Sequence, residues 1–197
     1  MTKKHRILIT IASVMLLAVF VFPLWQIRLQ APQYPEGLGL NIWINNVQSL
    51  HPHNIQTIND LNHYIGMKAI TPNVIPELKI MPYLIILLFV MGITTSLIGK
   101  RSLLMGWLML FVGMAGAGLV DFYKWEYNYG HNLNPNAAIK VPGMSYQPPL
   151  LGTKQLLNIR ATSIPYIGAL AIGLALVIGG YVFYKEKYNS PKYRVVS

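Results

Sequence analysis

Four apolar blocks of about 18 to 21 residues constrain this chain more than any other feature. They cover residues 7–25 (ILITIASVMLLAVFVFPLW), 80–98 (IMPYLIILLFVMGITTSLI), 103–120 (LLMGWLMLFVGMAGAGLV) and 164–184 (IPYIGALAIGLALVIGGYVFY). A helix of that length crosses a hydrocarbon core of roughly 30 Å. Charged residues make up only 11 % of the chain, against about 25 % in soluble proteins, and hydrophobic residues make up 53 %. The bilayer therefore dictates the fold. The expectation is an all-α integral membrane protein, a single membrane domain over 1–197 with four transmembrane helices and two structured extracytoplasmic loops forming a small cap.

The first block follows the basic start MTKKHR. It exceeds the 7–15 residues of a secretory h-region, and FPLWQIRLQ offers no small-x-small cleavage site, so it reads as a retained helix. Trp25 then belongs to the far interfacial belt. The turn GKRS makes the second and third blocks an antiparallel hairpin. Small-xxx-small pairs, Gly113/Ala117, Ala169/Gly173 and Ala175/Gly179, suit close packing of the third helix on the fourth. A homo-oligomer is the alternative use of those pairs.

Charge placement sets orientation. Of the 16 Lys and Arg, Lys3, Lys4, Arg6, Lys100, Arg101, Lys185, Lys187, Lys192 and Arg194 fall in short segments on one side. The positive-inside rule makes that side cytoplasmic. Loops 26–79 and 121–163 then face outward, both termini lie inside with the tail 185–197, and a bacterial inner membrane is the expected location. A formal charge of +10 spread over helix flanks, with no basic stripe, argues against nucleic acid as a partner.

In the first outward loop, LGLNIWINNV has the alternation of a short strand or hairpin. Ile55, Ile58, Leu61 and Ile65 recur at helical spacing, with Pro52 before the start and Gly66 or Pro72 as the stop. The second loop begins by prolonging the third helix by a turn or two, and LGTKQLLNI reads as a short interfacial helix.

Chemistry is sparse. No GxSxG, HExxH, P-loop or GxGxxG pattern is present, and no ionisable residue sits at the centre of a block, so neither intrinsic catalysis nor transport is indicated. With no cysteine, thiolate metal sites and covalent haem are excluded. Imidazole and thioether remain, a pair that suits copper. The candidate ligands are His51 and His53, two apart as on an extended segment, His63 and Met67, one helical turn apart, and His131 with Met144 in the second loop. Asp121, at the outer end of the third block, is expected to pair with Lys124 or with Arg28 of the first loop. Trp125 and its aromatic neighbours read as belt or loop-core residues.

Two stretches, LWQIRLQAPQYPEGLGLNIWIN…NIQTINDLNHYIGMK and DFYKWEYNYGHNLNPNAAIKVPGMSYQPPLLGTKQLLN, resemble small four-helix membrane proteins encoded beside nitrous oxide reductase and its copper-maturation factors in bacteria of that enzyme's second clade. APQYPEGL, LNHYIGM and PGMSYQPPL carry the likeness, which covers both outward loops and the flanking helices. The resemblance implies a non-enzymatic accessory role in copper handling or maturation of an extracytoplasmic copper enzyme, acting in the inner membrane during denitrification. The alternatives are a docking subunit that passes electrons from the quinol pool to a redox protein, and a purely structural membrane protein. It supplies no ligand set.

Overall fold

A computed structural model describes residues 1–188. Helix α1 (Lys3–Met15) starts on Thr2, whose hydroxyl accepts from the His5 N–H at 3.2 Å, and runs into a 3-10 segment, Leu16–Phe20. Strands β1 (Trp25–Ala31), β2 (Tyr34–Ile42) and β3 (Val47–Ser49) follow, then α2 (Asn54–Ile65). Helices α3 (Glu77–Ile98) and α4 (Arg101–His131) come next, then β4 (Gly152–Leu156), β5 (Ile159–Pro165) and α5 (Ile167–Tyr188).

Two features overturn the all-α, four-span expectation. The strands form one antiparallel five-stranded sheet in the order β3-β2-β1-β5-β4. Among the described residues, three helices are long and apolar enough to cross a membrane: α3, α4 and α5. Helix α1 takes in part of the basic start and the first apolar run only as far as Met15 before the chain tightens, and Pro23 then bars any continuation. LGTKQLLNI is not an interfacial helix either. It supplies β4 and the turn into β5, with Leu157 at φ 55°. The Lys192 and Arg194 used for orientation lie outside the described residues.

One face of that first run packs into the bundle core. Ile9, Ala12, Leu16 and Val19 are fully buried among Ile85, Leu88, Leu104, Trp107 and Phe111. Helix α1 packs on α3 and α5, which in turn flank α4. Ser13 sits where a side chain on Gly92 would be, and Trp107 Nε1 donates to Leu88 O at 2.9 Å, so α1, α3 and α4 meet at one small-residue contact. Around the outside, Ile7, Ile80, Leu97, Met109, Leu170 and Val177 are exposed. A soluble protein would not leave so continuous an apolar surface, whereas lipid covers it without cost.

At one end of the bundle the N-terminal segment, the Gly99–Lys100 turn and the end of α5 meet. Arg6 donates to Ser96 O (2.6 Å) and to Leu97 O, and the His5 ring contacts the Glu186 carboxylate. At the other end the sheet stands on the helices. The Tyr166 N–H donates to Leu24 O (2.8 Å) and the Gly168 N–H to Pro23 O (2.9 Å), so the chain leaves and re-enters the bundle side by side. That juxtaposition pairs β1 with β5 in the register Trp25↔Pro165, Ile27↔Ser163, Leu29↔Ala161. The inner face of the sheet (Ile27, Leu38, Leu40, Val47) then buries Ile58 of α2 and Leu78 of α3.

Helix α4 differs from its neighbours. At 1.5 Å per residue its 31 residues span about 46 Å, well beyond a hydrocarbon core of roughly 30 Å. Its apolar part ends at Val120, and residues 121–131 continue outside it, alongside the sheet. It is anchored below by Leu104, Trp107 and Phe111, and above by Glu126 and Gly130. No residue from Val112 to Trp125 is buried, and side chains at Gly113, Gly116 and Gly118 would meet nothing within 4 Å. Of the small-residue pairs, Gly179 does pack between helices, where a Cβ would run into Trp107 and Leu108, but Gly113 and Gly173 face open space.

Candidate functional site

The part of the molecule with most chemistry is the cap corner where α2, the outer end of α4 and the segment 132–150 meet. Helix α2 begins at Asn54, whose Oδ1 accepts from the Gly39 N–H (3.0 Å) and the His51 N–H (3.1 Å), tying the helix to β2. It ends at Gly66, φ +81°, where the Met67 N–H reaches back to Asn62 O at 2.8 Å in a Schellman-type stop. Asn59 then brackets Ile70, donating to its carbonyl (3.1 Å) and accepting from its N–H (2.7 Å). Two backbone bonds join this corner to the later loop: Asn134 N–H to Gly66 O (2.8 Å) and Ile139 N–H to Tyr64 O (2.9 Å).

Outside the apolar zone α4 carries two aromatic rows at helical spacing. Phe122, Trp125 and Tyr129 turn inward onto the sheet cluster, with Trp125 and Tyr129 4.2 Å apart and the Tyr129 hydroxyl donating to Ala69 O at 3.1 Å. Tyr123, Tyr127 and His131 turn outward. Tyr127 stacks on His131 at 4.0 Å with Tyr123 6.3 Å below, and the two tyrosines are 48 % and 44 % exposed. The outer row is a rigid aromatic ladder facing away from the core. The indole of Trp25 is also committed to packing, donating to Ser163 Oγ at 2.7 Å and meeting Phe122 edge-on at 5.5 Å.

Between the rows lies Glu126, fully buried, with neither carboxylate oxygen hydrogen-bonded. It stands about 37 Å along α4 from Arg101, outside the hydrocarbon zone. Burial without a donor pushes its carboxyl from the ordinary 4.5 up to about 8. One turn on, Gly130 O accepts the Tyr146 N–H at 3.0 Å, and the backbone of Gln147 lies against Gly130 where a Cβ would stand. Tyr146 is buried too, and its hydroxyl has no partner.

The candidate ligands are distributed as follows. His51 and His53 are exposed and do not lie on an extended segment: His53 has φ 66°, and its ring contacts Gln56 Oε1 at 3.1 Å. His63 is on α2, but Met67 lies beyond the Gly66 stop, so the two do not share a helix face. His131 is the last residue of α4, with Nδ1 3.1 Å from Tyr127 O. Met144 precedes the segment that crosses Gly130. The links through Gly66 and Asn134 bring His63, Met67 and His131 to one corner, while His51 and His53 stay at the other end of α2. Among the described residues no three His, Asp or Glu side chains gather as a metal site. A copper ion here would have two imidazoles at most and would depend on thioether help.

Asp121 is exposed and forms no salt bridge with Lys124 or Arg28. Arg28 lies on the outer face of the sheet opposite Thr162, turned away from α4 by the strand alternation that turns Ile27 inward. Trp125 is partly buried and packs on the sheet cluster. Sequence reasoning missed Glu126 and Tyr146. The available signal was a carboxylate next to Trp125 on the same helical face as Phe122 and Tyr129, a place for an apolar residue. A surface concavity of about 340 Å³ between the hairpin tips is lined by Gln30, Tyr34, Gln155, Asn158 and Arg160, and by none of the candidate ligands. No protein-family model matches this chain, and no curated protein matches it significantly.

Proposed function

We propose that this chain is a non-enzymatic membrane accessory protein that seats an extracytoplasmic partner on its β cap. The partner is a copper enzyme or one of its maturation factors, nitrous oxide reductase being the enzyme that the loop wording suggests. Its termini face the cytoplasm and its cap the periplasm of a bacterial inner membrane, an orientation supported by the basic residues around Gly99 and the N-terminus. The observation that carries the docking reading is the Tyr123–Tyr127–His131 ladder. Exposed stacked aromatics on a rigid helix offer large contact area at small entropy cost, the character of interface anchors. A tagged chain, solubilised gently from its host, should retain the reductase or a maturation factor, and Tyr123→Ser/Tyr127→Ser should lose it. Recovery of the wild-type chain always alone would remove this reading.

Direct copper handling is the second reading, supported by the shared corner of His63, Met67 and His131. A Cu(I) competition titration on the purified protein should then show tight binding that His63→Ala/His131→Ala abolishes. Equal uptake by both proteins would leave docking as the function.

A further inference from the structure

The segment 132–150 is a strap that crosses the outer end of α4 at Gly130, and two buried side chains lie there without hydrogen-bond partners, Glu126 one turn before Gly130 and Tyr146 of the strap itself. The geometry points to a proton-operated latch: with Glu126 neutral the strap lies closed on α4, and loss of that proton lifts residues 144–147 and uncovers Glu126 and Tyr146.

The closure is fastened by few contacts at this point. The Tyr146 N–H donates to Gly130 O, the Gln147 backbone rests on Gly130, and Lys154 of β4 donates to Gln147 O at 3.3 Å. Glu126 is one helical turn from Gly130, on the side that the strap covers. A neutral carboxyl can be shut away there at modest cost. A carboxylate cannot, because nothing replaces the water it would lose.

The charges nearby do not relieve it. Asp121, Lys124 and Tyr129 on its own helix, Glu77 at the start of α3, Arg28 of β1, Lys154 of β4 and Tyr146 of the strap make no ion pair or hydrogen bond with its oxygens. Burial alone moves its proton affinity, which places the change in the mildly alkaline range. The farther pins of the strap, Asn134 on Gly66 and Ile139 on Tyr64, involve only backbone groups and do not titrate. Opening is therefore local to 144–147 and leaves the α2 corner tied.

The test is amide hydrogen exchange of the full-length protein in detergent from pH 6 to 9.5, with each rate divided by its intrinsic value. Peptides covering 140–150 should lose at least tenfold protection with a midpoint near 8, while those of β1 and β5 stay flat. Glu126→Gln should hold the strap protected across the range. Gly130→Ala, which puts a methyl into the Gln147 backbone, should leave it open at every pH. A strap whose protection does not change with pH, or changes alike in wild type and Glu126→Gln, overturns the latch, as does a Gly130→Ala strap that stays closed. Should Glu126→Gln not fold, infrared spectra of the wild type decide. A protonated-carboxyl band that titrates with the strap supports the latch, and its absence at pH 6 overturns it.

Discussion

Glu126 shows how a single residue sets a pH dependence for the whole cap. Its carboxyl titrates near 4.5 in an unfolded chain and at about 8 when folded. A raised carboxylate value means that folding is favoured fully below the lower figure. The advantage drains away as pH climbs from about 4.5 through 8, because ionisation in the folded state is resisted. Glu126→Gln removes that penalty. The variant should be more stable than wild type by on the order of 2 kcal/mol near pH 7, with the difference closing towards pH 4.5. Thermal unfolding followed by tryptophan fluorescence across that range checks it, and a constant offset would contradict it. At Trp107 the argument is packing. Truncation to Ala leaves a cavity beside Leu88 and Phe111 and deletes the bond to the Leu88 carbonyl, so a loss of about 3–5 kcal/mol is expected in the same assay.

At the level of elements, α2 and the helical part of the bundle were legible and the sheet was not. The Ile55, Ile58, Leu61, Ile65 period located α2, and its Gly66 stop was among the two foreseen. What misled was extending the helical face one turn too far, to Met67, past a glycine that reverses the chain. Strand β2 and the β3 hairpin were visible as alternation in LGLNIWINNV. Strands β1 and β5 were hidden because QIRLQ or RATSI alone carries too little pattern and their mutual pairing joins distant parts of the chain, although each also has a hairpin neighbour, β2 or β4. Helix α4 was read as ending a turn or two past Val120. The aromatic rows that prolong it for three turns look, in sequence, like the loop that follows. The α2 corner also makes a prediction. Asn59→Ala deletes both bonds to Ile70 and leaves a backbone pair unsatisfied, and the cost should be about 1–3 kcal/mol. Exchange of the 66–72 amides should rise while α4 is unaffected; an unchanged rate would mean that the bracket is incidental.

For the whole molecule, the apolar blocks foretold three helices long and apolar enough to cross a membrane, and the N-terminal segment, the Gly99 turn and the end of α5 meet at one end. Counting four equal spans failed because block length does not fix how far a run stays α-helical. The first run is α-helical only as far as Met15; one face (Ile9, Ala12, Leu16, Val19) packs into the bundle while Ile7, Ile11 and Val14 stay exposed. Helix α4 is fully buried only near its two ends and is partly covered between them. Mechanically it is an axle in two bearings, with a glycine-rich middle in which no residue is fully buried. Tilt imposed at the lower bearing must appear at the upper one, so the thickness of the surrounding bilayer becomes an input to the cap. Reconstitution in thin and thick bilayers should therefore shift exchange at 126–131 and in the strap, with the sheet edge β3 left unchanged. Identical exchange in both would make the axle a passive post.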